Sequence, residues 1–407
     1  MTVDVLHGVS DIAADDWDAL TRDLDIDADR GYLRFREYLE SGQSLVVTER
    51  GSGELRGALH GALTTSRTGM ASHPWKFVGS PSVLRLAEDD PDAERVHRTL
   101  RDLAGAGQRE AADDAEPVWQ VLDRRFGSCY VIRGFDSSEL ILRPGLDAVE
   151  AEQVTRRLIE KARSAALEHG AGAVAFPFVR PGDKVLRGVL AEYGFRSGVV
   201  TAASAFHLNG CTTYEEYLEQ LPSRRRRRYR QEERQLLTSG LSTGETDLIT
   251  HAERIAQLEA QTLAKHGGRP DPAAIQRART VLAEALPDAV RVPAVRRDGV
   301  LIACALHLLG RRSSLFMAYG CDYDVTDRGP SYPWSCFYHP IRMAIEHGAE
   351  TVRLGLEGFE AKAQRGAVPE EREMWIWTPD PEAGERVGAL LEFLDTRNTA
   401  YLARFSG

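Results

Sequence analysis

The chain has 407 residues, 43% of them hydrophobic, and a formal net charge of −10. That length fits two domains, each able to bury an ordinary core, and the acidic balance excludes general coating of nucleic acid. The acidic stretch from Met1 to Leu20 has no secretory pattern and no apolar run spans a bilayer. The five cysteines (Cys129, Cys211, Cys304, Cys321, Cys336) show no CxxC spacing, which fits reduced thiols, so a cytoplasmic location is expected.

The first predicted elements form a hairpin, with Val46 to Arg50, a Gly-Ser-Gly turn, and Ala58-Leu59-His60. Residues 68–130 read as an insertion holding a polar helix, Asp92 to Leu103, and a Gly/Asp-rich run to Glu116. A strand is expected at Ser138 to Leu142. A helix then ends in Ala166-Leu167-Glu168-His169-Gly170-Ala171, with glycine as the C-terminal cap, and a strand follows from Ala173 to Phe178.

A joint is expected near Asn209-Gly210, dividing the chain into domains 1–208 and 209–407. The second domain opens with a helical lead-in, Tyr214 to Leu221, and then Pro222-Ser223 followed by five arginines, Arg224 to Arg228. Residues 224–234 carry seven arginines against two glutamates, a net +5 that leaves −15 on the rest of the chain. Such a concentration suggests one docking site for phosphates. Pro222 favours helix initiation there. Five successive residues girdle a helix, so at least one of these arginines is expected to face the protein body and to need an anionic partner. The arginine helix runs to about Leu237, and helices follow at Thr250 to His266 and Pro272 to Leu286.

The early pattern then returns. A hairpin, Ala294 to Arg297, Asp298-Gly299 and Ala305-Leu306-His307, precedes a strand at Ser314 to Tyr319. A helix from Tyr332 to His347, with Trp334, Phe337, Tyr338 and Ile341 on a core face, ends in Ala344-Ile345-Glu346-His347-Gly348-Ala349, 178 residues after its counterpart. Thr351 to Leu356 is the matching strand. Two repeated pairs in one order indicate an internal duplication. Each copy is an α/β unit in which hairpins join a parallel βαβ element, giving a mixed sheet flanked by helices.

Several motifs carry no chemistry. Gly240 to Gly244 matches GxSxG but lacks the strand-to-helix setting of a nucleophile elbow. There is no GxxxxGK, GxGxxG or HExxH, no metal-ligand spacing, and His307, His339 and His347 stand alone. Cys321, beside Asp322 and Tyr323, has no partner spacing that marks a nucleophile. The loop Glu357 to Gly366 is more informative. It lies beyond the last parallel strand, where α/β ligand sites gather, and Lys362 in it can set a cation where charge develops on a carbonyl.

Pro-Ser-Arg-x-Arg-Arg-x-x-Arg-x-Glu-x-Arg, then Glu360-x-Lys362-x-x-Arg365-Gly366, Pro369 and the Trp375/Trp377 pair resemble the Fem-type branch of the GNAT acyltransferases, in the peptidoglycan-biosynthesis-like group. The resemblance implies two tandem GNAT-like domains and amide formation, in which an amine attacks an acyl group donated by aminoacyl-tRNA or, in ordinary GNAT enzymes, by acyl-CoA. It also implies a role for Lys362 in ester reaction, although Ala361 stands where the family usually has His. The pyrophosphate-binding turn of ordinary GNAT domains is missing. Arg143-Pro144-Gly145 and Asp327-Arg328-Gly329-Pro330 occupy its two places, and proline removes an N–H donor.

The expected protein is therefore an acyltransferase with aminoacyl-tRNA as donor, a small-molecule amine as acceptor, and no metal, cofactor or obligate protein partner. Arg224, Arg225, Arg226, Arg227, Arg228, Arg230 and Arg234 would grip phosphates, and Lys362 would stabilise the carbonyl oxygen. Tyr319, Tyr323 and Arg365 would bind substrate, with Asp322 or Glu357 as proton acceptor. A CoA-dependent N-acyltransferase and a non-catalytic nucleic-acid-binding protein are the alternatives.

Overall fold

A computed structural model describes residues 1–405 apart from 41, 87–92, 106–115, 133, 139 and 326–328. The Gly/Asp-rich run, the start of the polar helix at Asp92, and Asp327-Arg328 of the second turn fall outside the described residues. The strands in chain order are β1 (Thr2–Leu6), β2 (Ser44–Gly51), β3 (Glu54–Leu63), β4 (Cys129–Ile132), β5 (Ile141–Leu142), β6 (Ala173–Val179) and β7 (Arg196–His207). They continue as β8 (Leu241–Glu245), β9 (Val290–Arg291), β10 (Pro293–Arg297), β11 (Val300–Leu309), β12 (Ser313–Cys321), β13 (Thr351–Leu356) and β14 (Val368–Trp377).

Two compact units result, and a single cut near residue 208 does not separate them. Unit 1 comprises Met1–Asp23, Arg36–Ala203 and Glu370–Gly407; unit 2 comprises Leu24–Phe35 and Ser204–Pro369. Both exchanges have a physical cause. β14 is inserted between β6 and β7, so the closing strand of the chain completes the first sheet. Leu24–Phe35 joins unit 2 through Asp27, whose carboxylate takes Arg353 Nη2 at 2.6 Å with both side chains buried.

The unit 1 sheet runs β1-β2-β3-β4-β6-β14-β7, with β5 on β3. The β2/β3 hairpin forms as its turn chemistry dictates, with Ser52 and Gly53 both at positive φ. The Ala148–Glu168 helix covers this sheet and starts in a capping box between Asp147 and Glu150. The strand expected at Ser138 to Leu142 is corrected. The ladder strand is Cys129–Ile132, antiparallel to β3 and parallel to β6, and only Ile141–Leu142 pairs with β3. Asp136, Ser137 and Ser138 lie buried in the loop between, where the Ser138 hydroxyl donates to the Ile132 carbonyl at 2.7 Å and Arg372 Nε to the Asp136 carbonyl at 2.8 Å.

In unit 2 the order is β13-β12-β11-β10-β8, with β9 on β11. Asp298 and Gly299, both at positive φ, close the β10/β11 hairpin. Gly240 to Gly244 leads into the edge strand β8 and forms no elbow. The helix predicted at Tyr332 to His347 starts at Ser331, widens to a π-turn over Trp334–Tyr338, and resumes from His339 to Glu346. Pro340 explains the interruption, because it has no N–H for the ordinary i→i−4 bond. Phe337, Tyr338 and Ile341 pack into the unit 2 core as expected.

Candidate functional site

The parallel pair β12/β13 hydrogen-bonds only from Ser313 to Leu315 against Thr351 to Arg353. Beyond that point the strands continue without a shared ladder, and a cavity of about 950 Å³ opens at their carboxyl ends, lined by β12 residues Phe316 to Tyr319 and Cys321. A register shift against β11 makes Met317 an extra residue, and such a bulge turns side chains toward the opening. The helices Ser223–Thr238 and Ala252–Lys265 supply Glu232, Gln235, Glu259 and Lys265 to the wall, and the loop after β13 supplies Ala361 and Arg365.

Two arginine–glutamate pairs structure this wall. Arg279 holds Glu259 in a bidentate pair, with contacts of 2.9 and 2.6 Å, and Arg365 Nη2 reaches both oxygens of Glu232 at 3.0 and 3.2 Å. Burial alone would lower the Arg365 pKa, but Tyr338 and Glu232 outweigh it and raise it, so the cation is fixed. Lys265 Nζ sits 3.7 Å from the Tyr323 ring centroid. Burial drives the Tyr319 and Tyr332 hydroxyls well above the usual phenol range, so both remain neutral donors. The rings of these two tyrosines meet edge to face at 4.9 Å.

Of the residues expected at the substrate, Tyr319, Tyr323 and Arg365 come together in this wall, whereas Lys362, Asp322 and Glu357 lie outside it. Lys362 is buried, and its ammonium donates to three successive carbonyls, Leu354 at 2.9 Å and Gly355 and Leu356 at 3.1 Å. Those carbonyls converge because Gly355, Glu357 and Gly358 all take left-handed φ near +65°, which curls the strand end around the cation. The expected place of Lys362 facing a substrate carbonyl is not what the structure shows: its ammonium donates to three backbone carbonyls of the chain. Asp322 is equally engaged, with Oδ2 on Arg254 at 2.7 Å and Oδ1 accepting the Asp324 N–H at 3.2 Å. Glu357 belongs to the left-handed turn itself.

The sequence reading missed Glu232, the Glu259–Arg279 pair and Tyr332. Tyr332 was assigned only to the start of a core helix, although its place just after the β12 turn marks the mouth of the opening.

The arginine helix spans Ser223–Thr238, and its inward residues are Tyr229 and Leu236, not an arginine. Tyr229 is fully buried and its hydroxyl donates to the Arg365 carbonyl at 2.9 Å. The inward face also carries carboxylates for arginines of the body: Glu232 meets Arg365, and Glu233 meets Arg342 and the Tyr214 hydroxyl. The seven arginines do not form one patch. Arg226 reaches the Glu219 carbonyl at 3.4 Å, Arg230 pairs with Glu215 at 3.3 Å, and Arg234 donates to the Arg230 carbonyl at 3.0 Å. Arg224, Arg225, Arg227 and Arg228 instead line a groove of about 450 Å³ with Gln231 and Gln364. Arg228 donates to Gln364 Oε1 at 2.8 Å. Arg224, Arg225 and Arg227 make no hydrogen bond or ion pair among the described residues. They also crowd the positive end of the helix dipole, whose first turn has no acidic residue. Positive charge is therefore concentrated in this groove.

Groove and cavity are consecutive. Arg228 and Gln231 line the groove while Glu232 and Gln235 of the same helix line the cavity, and Gln364 and Arg365 divide the same way. At the turn after β12, the helix opens with Pro330 and Pro333, so two of its first positions have no N–H to offer a pyrophosphate. Among the described residues no cluster of side chains could hold a metal ion, and no helix is long and apolar enough to cross a membrane.

Among solved structures, the chain is similar to FemX at 12% identity, covering 91% of this chain and 96% of that one with a TM-score of 0.58. It is also similar to a tandem GNAT protein of the clavulanic acid biosynthesis pathway, at 14% identity over 93% and 99% of the two chains, TM-score 0.47. A third is the C-terminal domain of a putative lysylphosphatidylglycerol synthetase from Agrobacterium fabrum, at 15% identity over 65% and 82%, TM-score 0.45. No curated protein matches the chain. The FemX likeness establishes the fold as the expected GNAT-like α/β architecture, and the family supports an acyltransferase. With residues 139–405 matching its profile, the chain belongs to the FemAB-like family, described as peptidoglycan biosynthesis/recognition.

Proposed function

We propose that the protein is an aminoacyltransferase that takes its acyl group from aminoacyl-tRNA and forms an amide on a small-molecule amine. The observation that carries this reading is the arginine groove, in which the Arg224, Arg225 and Arg227 side chains have no hydrogen-bond or ion-pair partners among the described residues, next to the cavity between β12 and β13. From Arg228 to Glu232 is one helical turn, about 6 Å along the axis. In an aminoacyl-tRNA the reactive ester sits on the terminal ribose, one nucleotide from a phosphate, which suits that short step. In an acyl-CoA a long pantetheine arm separates thioester from pyrophosphate. The prolines at 330 and 333 also speak against a pyrophosphate cradle there.

In this mechanism the groove arginines seat the terminal phosphates and lay the ester into the cavity. The Tyr332 hydroxyl, a neutral donor in the wall, hydrogen-bonds the carbonyl oxygen as the amine adds and negative charge develops. Collapse of the adduct breaks the bond to the ribose oxygen, which leaves as the tRNA hydroxyl by taking up the proton that the attacking amine gives up. Lys362 acts by holding the strand end that presents Arg365, not by touching the substrate.

The test is donor identification. Purified protein is given a mixed aminoacyl-tRNA pool, or a panel of acyl-CoA thioesters, with amine acceptors from cell extract, and products are read by mass spectrometry. New amides that depend on charged tRNA are expected. Amides formed only with acyl-CoA would refute the donor assignment, and binding of tRNA with no product from either donor would refute catalysis.

A further inference from the structure

Glu232 stands where the arginine groove and the cavity meet. Its carboxylate takes Arg365 of the cavity wall on both oxygens, receives the Tyr338 hydroxyl, and lies 3.7 Å from Arg228 Nε of the groove. Arg228 is therefore divided between Glu232 and Gln364, and Gln364 adjoins Arg365 in the chain. The Arg228–Glu232 contact joins a half-exposed arginine to a largely buried glutamate at helical spacing, and at 3.7 Å, beyond hydrogen-bond reach, it is worth little. A phosphate in the groove offers Arg228 stronger charge-assisted hydrogen bonds and displaces that contact. Once Arg228 leaves, the Glu232 carboxylate is shared only between Arg365 and Tyr338.

We infer that Glu232 is a positioning residue that couples the two sites, so that seating phosphate in the groove resets Arg365 in the cavity wall. The coupling must be reciprocal, and a cavity ligand that engages Arg365 changes the affinity for phosphate. The inference rests on the groove being the donor's phosphate site. A built-in control lies one residue away. Glu233 ties the same helix to Arg342 and Tyr214 and lines neither groove nor cavity.

The full chain carrying 13C-methyl methionine reports on the cavity, because Met317 lines it together with Arg365 and does not line the groove. Its resonance is assigned with Met317→Leu, and inorganic tripolyphosphate is the titrant. In the wild-type chain, tripolyphosphate should bind and shift the Met317 signal. Glu232→Gln should bind it about twofold more tightly, since the competing carboxylate is neutralised, while the Met317 shift disappears. Glu233→Gln should match the wild type. A Met317 shift that survives in Glu232→Gln, or one lost in both variants, would overturn the coupling, the second result marking a general loosening of the helix. Should Glu232→Gln not fold, Glu232→Asp, which keeps the charge but draws it back from Arg228, supports the coupling by weakening the shift and overturns it by preserving it. If tripolyphosphate fails to bind the wild-type chain at all, the groove assignment itself falls, and this inference with it.

Discussion

Replacing Arg224, Arg225 and Arg227 together by alanine isolates the groove's contribution. These side chains make no hydrogen bond or ion pair among the described residues, so their loss should remove nothing that holds the unit together. Four arginines line the groove. If each neutralises one phosphate of a single strand, log affinity falls with log salt at a slope of about −2.8, and binding weakens about 50-fold between 50 and 200 mM salt. With Arg228 alone remaining, the slope becomes about −0.7 and the same salt step costs about threefold. Fluorescence anisotropy of labelled tRNA over a KCl series measures both slopes. Removing cations from the positive end of the Ser223–Thr238 helix should also stabilise it, by about 0.3–1 kcal/mol per charge at low salt. An unchanged salt slope would place the nucleic acid elsewhere, and a clear drop in stability would show that the arginines serve the fold.

Three further outcomes are expected. Lys362→Met, which keeps the apolar stem but strands three buried carbonyls, should destabilise unit 2 by about 2–4 kcal/mol in urea unfolding; unaltered stability with lost turnover would return Lys362 to the substrate. Asp322→Asn should cost about 1 kcal/mol through Arg254 and leave turnover within threefold, and abolished turnover in a stable variant would make Asp322 the proton acceptor. Burial, helped by Lys76, lowers the His73 pKa from 6.5 to about 4, and burial lowers that of His307 to about 3. The unfolded chain then binds these protons first, so stability is full above pH 6.5 and falls as pH drops toward 4, by about 3 kcal/mol for His73. His73→Gln should flatten that acid limb in urea titrations at pH 7 and pH 4.5, and an unaltered limb would contradict the assignment.

The features legible in the sequence were those with local chemistry. Asp298-Gly299 and Ser52-Gly53 required positive φ and produced hairpins, and Gly170 and Gly348, both at φ 74°, ended the two repeated helices. β4 escaped notice because Cys129 to Ile132 is a short, wholly buried apolar run with no alternation to mark it. The arginine run drew attention to an inward arginine, yet Tyr229, Glu232 and Leu236 already carried the helical period of the buried face. Lys362 was located, but its hold on the strand end was not legible, because its partners are backbone carbonyls and no residue type announces those. The exchanged segments were invisible for a related reason. They depend on pairings such as Glu373 with Val179, nearly two hundred residues apart.

The place of β14 has a consequence for how the polypeptide acquires its shape. Unit 1 needs this strand between β6 and β7, yet the ribosome reaches it only after all of unit 2 has been made. Until then, β6 and β7 are two facing unfilled borders, with Phe176 and Val179 of β6 apolar and the hydrogen-bonding groups of both strands open to any extended segment. The second unit, whose borrowed Leu24–Phe35 segment is synthesised early, has all its parts first. Maturation should therefore run from the middle of the chain outward, with the first half held waiting for its last strand. A fragment cut near residue 208 would keep that slot empty and be prone to self-association.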